Sequence, residues 1–211
     1  MSSPSQPPLD LTEKHLIATG SIRKIYAMPG TTDQIIKIYR SNKTPEHQKG
    51  EMHIRKLPFL RHPITFDQNR YDLREINRLE KRLGAILWQH FPKTPTILPT
   101  NLGPGLVQQR ILNHDGTDAE SLKSAMVSSQ DKTAILTSLN QFRTFLSGHH
   151  IVIRDLHPNN VLVQYKQPHQ PTIIMVDGFG NSDYIKFASY FKIFNDQKLE
   201  RKFTRLTNAL P

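Results

Sequence analysis

Ile153-Arg154-Asp155-Leu156-His157-Pro158-Asn159-Asn160 is the stretch on which the fold of this chain turns. An aspartate and an asparagine lie five positions apart in it, between the apolar runs Ile151-Val152-Ile153 and Val161-Leu162-Val163. Asp, Asn and Pro favour turns, so the stretch reads as a tight loop between two strands. Val176-Asp177-Gly178-Phe179-Gly180 follows, again with a carboxylate directly after an apolar run, Ile173-Ile174-Met175-Val176. Phosphoryl transfer needs one carboxylate to orient or deprotonate the attacking hydroxyl. It also needs oxygen ligands for magnesium, typically a second carboxylate and an amide. Asp155, Asn160 and Asp177 offer that set.

Working outward, the upstream sequence supplies a hairpin. Ile22 to Met28 is apolar at intervals, Met28-Pro29-Gly30-Thr31 is a turn, and Gln34-Ile35-Ile36-Lys37-Ile38-Tyr39 is the returning strand. Lys37 stands inside that apolar strand, where a lysine calls for an anionic partner. Residues 41–70 hold Pro45, Pro58, Pro63 and many charges, and read as a long connection. From Asp72 the period becomes helical, with Ile76, Leu79, Leu83, Ile86 and Leu87 on one stripe. Glu75 lies near the start of this helix and is the candidate partner of Lys37. Gly105 to Leu112 reads as a further strand and Lys132 to Ser147 as a second amphipathic helix, with Gly148 placed to end it. Residues 184–210 read as helix. Strands with one helix followed by a mainly helical half predict an α+β fold in two lobes.

Composition narrows the function classes. The chain has 211 residues, 28 Lys+Arg against 18 Asp+Glu, a formal net charge of +10 and no cysteine. Disulfides, Cys-based zinc sites and cysteine nucleophiles are excluded, and a reducing cytoplasm fits. No stretch approaches the ~20 apolar residues of a membrane span. Residues 1–12, rich in Ser and Pro at their start, read as a disordered tail and carry no signal-peptide pattern. The ten histidines show no zinc-ligand spacing. The surplus charge points to an anionic partner, an acidic protein among the candidates. Nucleic acid is disfavoured, since no helix-turn-helix, zinc finger or aromatic RNA-binding motif accompanies the charge. The basic tail Lys198, Arg201, Lys202 and Arg205 reads as a solvated helix face.

At this point the motifs resemble those of the protein kinases. Arg154 to Asn160 is similar to the catalytic loop His-Arg-Asp-Leu-Lys-Pro-x-Asn, Val176 to Gly180 to the Asp-Phe-Gly segment, and Ile35-Ile36-Lys37-Ile38 to the Val-Ala-Ile-Lys strand. More closely, Thr19 to Ala27, Ile36 to Ile38, Leu73-Arg74-Glu75 and Asp155 to Leu162 resemble the YrbL family, small bacterial kinase-like proteins named as members of a PhoP regulatory network. The resemblance implies a compact two-lobed protein-kinase-like fold with a truncated C-terminal lobe, the N-lobe over about 13–107 and the C-lobe over about 113–211. It implies Mg2+ and ATP as cofactors. Asp155, Lys37 and Arg154 form the implied catalytic set. Gly20, Arg23 and Lys24 would lie over the phosphates, with Lys37 on the α- and β-phosphates and Glu75 beside it. Gln109, in the hinge strand, and His157 complete the nucleotide set. Asn160 and Asp177 would bind the metal.

The departures from the kinase pattern are informative. The phosphate loop has one glycine, Gly20, where typical kinases have three, and Asp-Gly-Phe replaces Asp-Phe-Gly. Only 34 residues follow Asp177, too few for an activation segment and the usual substrate-docking helices. The expected function is a cytoplasmic phosphotransferase acting on a hydroxyl of a small molecule, a sugar or lipid, or its own chain. The alternative is a nucleotide-binding pseudokinase with a regulatory role.

Overall fold

The computed structural model describes residues 7–47, 67–180 and 192–211. The chain divides into two units: Met1–Arg74 with Lys93–Arg110, and Glu75–Pro92 with Ile111–Pro211. The N-lobe expected to run unbroken to about 107 is therefore interrupted, since residues 75–92 belong to the second unit. Their apolar residues Ile76, Leu79, Leu87 and Phe91 are buried in that unit's core.

The first unit holds a five-stranded antiparallel sheet in the order β1 (Leu16–Thr19), β2 (Arg23–Ala27), β3 (Gln34–Tyr39), β5 (Gly105–Gln109), β4 (Ile97–Leu98). The expected hairpin is present as β2–β3, which pairs Arg23 with Tyr39 and Ala27 with Ile35. Gly30 makes its turn possible with a φ of 80°. Side chains alternate across a sheet. Tyr26, Ile36, Ile38 and Val107 take one face and bury there with Leu11. That burial corrects the expected tail from Leu9 onward; residues 1–6 lie outside the described residues. Leu9 bridges Thr100, and the Leu11 amide donates to Asn101 Oδ1 at 2.9 Å, because two leucines at i, i+2 find apolar cover on this sheet.

Helix α1 runs over Gln68–Leu83. It starts four residues before the expected Asp72. Asp67 caps it, its Oδ1 accepting from the Arg70 amide at 3.1 Å, and this first turn is polar and so silent in the apolar period. Gly84, with φ at 60°, ends it and a 3-10 turn Gly84–Gln89 follows.

The second unit combines a three-stranded sheet, β6 (Glu120–Ser121), β7 (Val161–Gln167) and β8 (Gln170–Met175), with helices α2 (Leu122–Ser128), α3 (Lys132–Gly148) and α4 (Lys192–Asn208). Asp131 caps α3 through the Ala134 amide at 2.9 Å. Gly148 is the last helical residue, and it is His150, with φ at 49°, that takes the left-handed conformation after it. Phe142, Leu146, Val161, Met175, Phe179 and Phe203 lie in one buried core. Of the three expected strands in this half, Ile151–Ile153 is not one. It makes a single bridge, Ile153 to Phe179, because its backbone is engaged by other partners described below. The expected helix over 184–210 is present from Lys192; its earlier part lies outside the described residues.

Candidate active site

In the first unit the site begins with Lys37. The register pairs Lys37 with Ile25 and Leu106, and Arg23 with Tyr39. Directly paired side chains share a face, so Arg23, Lys37 and Tyr39 lie together, opposite the apolar cluster. Lys37 is 3% exposed and Arg23 5%. The start of α1 supplies polar partners to this face. Asn69 Nδ2 donates to the Lys37 carbonyl at 3.2 Å, and Arg23 Nη1 donates to Asn69 Oδ1 and Asp72 Oδ2, each at 2.9 Å. The Tyr39 hydroxyl accepts from the Asn69 amide at 3.1 Å and donates to Asp67 Oδ1 at 3.3 Å. Burial pushes its phenol well above the ordinary tyrosine range.

These contacts give the surroundings of two expected site residues. Arg23, expected over the phosphates, has its guanidinium buried against Asp72 and Asn69. A guanidinium on this face needs a desolvated acid, and α1 provides one. Glu75, expected to pair with Lys37, makes its ion pair with Arg78 at 2.9 Å along the helix. The fully buried acid of α1 is Asp72. It stands four residues before Ile76 and seven before Leu79, on the apolar stripe itself, and a carboxylate in that register is the signal that identifies it. Lys24 is partly exposed and 3.4 Å from Glu13 Oε1. Gly20 sits at the β1–β2 turn, its amide donating to the Arg23 carbonyl at 2.8 Å. Gln109 is exposed at the end of β5, where its Oε1 accepts from the Lys93 amide at 3.2 Å.

In the second unit the two motifs are joined through their backbones. The Gly178 carbonyl accepts from the Arg154 amide at 2.8 Å and the Asp155 amide at 3.2 Å. The Val176 amide donates to the Asn160 carbonyl at 2.9 Å. Gly178 has φ at 79°, and a Cβ placed on it would come within 2.4 Å of the Asp155 carbonyl oxygen. Only glycine permits this approach, which explains the Asp-Gly-Phe order. Leu156, buried, pins the loop between Asp155 and His157. His157 Nδ1 accepts from the Asn159 amide at 3.2 Å, capping the 3-10 turn Pro158–Asn160. That turn aims Asn160 back at Asp155: its Nδ2 donates to Asp155 Oδ2 at 3.0 Å and to the Asp155 carbonyl at 3.2 Å. Asp155 itself is exposed. Asp177 Oδ1 accepts from the Gly178 amide at 2.7 Å.

The second unit thus collects Asp155 on a loop, Asn160 just before β7 and Asp177 just after β8, a carboxylate, an amide and a carboxylate. Among the described residues no three His, Cys, Asp or Glu side chains gather in a group able to hold a metal. The donor set fits Mg2+ all the same. Magnesium is held by one or two carboxylates and takes its remaining ligands from water and substrate phosphates. The amide oxygen of Asn160 adds a neutral donor, since its nitrogen is the atom committed to Asp155.

The sequence model of the family described as PhoP regulatory network protein YrbL matches residues 9–211. The chain is 25% identical over 198 residues to protein YrbL of Escherichia coli (strain K12), covering 92% of this chain and 84% of that one. The same figures hold for YrbL of Shigella flexneri. Among solved structures, Rad53 1-466 in complex with AMP-PNP matches at a TM-score of 0.51 and 14% identity, over 93% of this chain. The match covers 47% of the Rad53 chain, less than half its length, and shows likeness of fold. Coverage of residues 9–211 by one family, with a protein-kinase-like α+β fold beneath it, establishes that the chain belongs to the PhoP regulatory network protein YrbL family.

Proposed function

We propose that this protein is a Mg2+- and ATP-dependent phosphotransferase acting on a hydroxyl group. The observation that carries the reading is the backbone coupling of Asp155 to the Asp177 segment through the Gly178 carbonyl, with Asn160 hydrogen-bonded to the Asp155 carboxylate. Such coupling holds the groups that would bind metal and acceptor in fixed relation before substrate arrives, and preorganisation is the main source of catalysis in phosphoryl transfer. In this reading Asp155 positions the acceptor hydroxyl and accepts its proton. Asn160 and Asp177 hold Mg2+, which neutralises charge on the phosphates. Lys37 contacts the α- and β-phosphates, Lys24 and the backbone at Gly20 lie over them, and Gln109 marks the adenine end. Arg154 and His157 flank Asp155 and Leu156 on the same loop, where His157 Nδ1 accepts from the Asn159 amide. A requirement for ATP, together with the absence of cysteine, favours the cytoplasm as its compartment.

Thermal stabilisation by ATP with and without Mg2+ tests the reading, followed by transfer of radiolabelled γ-phosphate. Ligand at a hundred times its Kd adds about 2.7 kcal/mol of stability. Asp177→Asn is expected to remove the magnesium-dependent part of the shift, and Asp155→Ala to leave binding intact while abolishing transfer. No stabilisation of the folded protein by any nucleotide would sink the proposal. The burial of Arg23 against Asp72 leaves the single-glycine loop with less charge for the phosphates, which favours a nucleotide-binding pseudokinase as second reading. Nucleotide binding without transfer to any acceptor, including the protein itself, would select it.

A further inference from the structure

Lys202 belongs to the basic tail that the sequence presents as a solvated face. Its helix, α4, places Leu199, Phe203 and Leu206 in the core of the second unit. Lys202 lies three residues after Leu199 and four before Leu206, so it falls inside the apolar stripe rather than on the opposite face. Lys202 is half-buried, and its ammonium is turned back onto the chain. It donates to the carbonyl of Ile153 at 2.5 Å and to the carbonyl of Arg154 at 2.7 Å.

Those two carbonyls immediately precede Asp155. The amides of Arg154 and Asp155 are taken by the Gly178 carbonyl. The segment leading into Asp155 is thereby gripped on both sides, its N–H groups by the Asp177 segment and its C=O groups by α4. Two parallel carbonyls would repel and rotate outward to water if left alone. An ammonium, with three donors and no acceptor, is suited to hold both. The helix is itself anchored by Phe203 packed 6.2 Å from Phe142, by Asp196 accepting from the Ser147 hydroxyl at 2.9 Å and by Glu200 on Arg143 at 3.0 Å.

We propose that Lys202 is a positioning residue: through the Ile153 and Arg154 carbonyls it holds the loop that presents Asp155. The inference about turnover rests on the phosphotransferase reading; the inference about loop order does not. Lys202 acts through backbone, so its loss displaces Asp155 without removing any group that touches nucleotide.

The test compares wild type, Lys202→Met, Lys202→Arg and, as a surface control, Arg201→Met. Hydrogen exchange followed by mass spectrometry reads peptides spanning residues 151–157 and, for reference, 170–175 on β8. Lys202→Met is expected to speed exchange in the loop peptide about tenfold or more while leaving β8 unchanged. Lys202→Arg, which keeps a charged donor, restores most of the protection, and Arg201→Met behaves as wild type. In transfer assays Lys202→Met is expected to lower kcat about 10²-fold with the KM for ATP changed less than threefold, the pattern of a misplaced catalytic group. Unchanged loop protection in a folded Lys202→Met protein overturns the proposal. Loosened protection in a chain that transfers no phosphate removes the phosphotransferase reading and leaves the positioning role standing. If Lys202→Met does not fold, the wild-type ammonium resonance decides: a Lys202 15Nζ signal in slow exchange with water supports the clamp, and its exchange at the rate of the exposed lysines overturns it.

Discussion

Gly178→Ala, paired with Gly30→Ala, isolates the close approach on which the site depends. Both glycines have nearly the same backbone, φ 79° and 80°. An L-residue in that region costs about 1–2 kcal/mol at either position. Their surroundings differ. A Cβ on Gly30 meets nothing within 4 Å, whereas one on Gly178 lies 2.4 Å from the Asp155 carbonyl oxygen and 3.1 Å from its carbonyl carbon and Cβ. Ordinary contact begins at 3.4 Å, so the Asp155 backbone must retreat by about 1 Å. It cannot do so cheaply, because the Gly178 carbonyl holds its amide, Asn160 Nδ2 its carbonyl, and Lys202 the Arg154 carbonyl just before it. Steric overpacking of this kind costs typically about 1–3 kcal/mol beyond the shared backbone term. At roughly 2–4 °C per kcal/mol for a chain of this size, a ~2 kcal/mol excess lowers Tm by about 4–8 °C more in Gly178→Ala than in Gly30→Ala. A displacement of about 1 Å at Asp155 is also expected to reduce phosphoryl transfer by about 10²-fold, with Gly30→Ala retaining full turnover. Scanning calorimetry and a transfer assay on both variants give the comparison. Equal losses of Tm, or undiminished transfer in Gly178→Ala, would refute the claim that this glycine exists to let the two motifs meet.

Two further outcomes are expected. Removing one member of the Arg23–Asp72 pair, whose side chains are 5% and 1% exposed, as Arg23→Met or Asp72→Asn, is expected to cost about 3–5 kcal/mol in urea unfolding. A double-mutant cycle should return a coupling above about 1 kcal/mol, and a coupling of zero would show that the pair is not the contact. His90 packs its ring against Phe142 and Phe145, and its Nδ1 donates to the Ile173 carbonyl at 2.7 Å. Burial first, and nearby Lys166 to a lesser extent, lower its pKa, partly opposed by that hydrogen bond. The unfolded chain therefore binds the proton more readily, at an ordinary histidine value of about 6.5. Stability from this group is complete above that pH and is lost as pH falls below it toward the folded value. Thermal unfolding between pH 7.5 and 5 should show the advantage of wild type over His90→Gln shrinking with acid; an advantage independent of pH would contradict the assignment.

Period and local chemistry made most elements legible. The alternation of Gln34 to Tyr39 located β3 residue for residue, and the stripe through Ile135, Leu139, Phe142 and Leu146 located α3. Asp155, Asn160 and Asp177 were identifiable because turn residues after apolar runs report a local geometry, and local geometry is written in neighbouring residues. The first turn of α1 was not legible, since capping by Asp67 leaves no apolar trace. Nor was the failure of Ile151–Ile153 to form a strand, as the Ile151 amide turns back to the Leu146 carbonyl and the Ile153 carbonyl accepts from Lys202, distant in sequence.

The same division holds at the site. By itself the sequence determined the fold class and nominated the acids, through spacing and the resemblance those spacings support. Which charges meet was decided only by tertiary structure. Arg23 found Asp72, and Lys202 left the expected surface for the Asp155 loop. The physical reason is desolvation. A charge gains little from a neighbour in water, so sequence proximity does not predict its partner. Once the core buries it, the charge must be matched by whichever group the fold brings within hydrogen-bond reach.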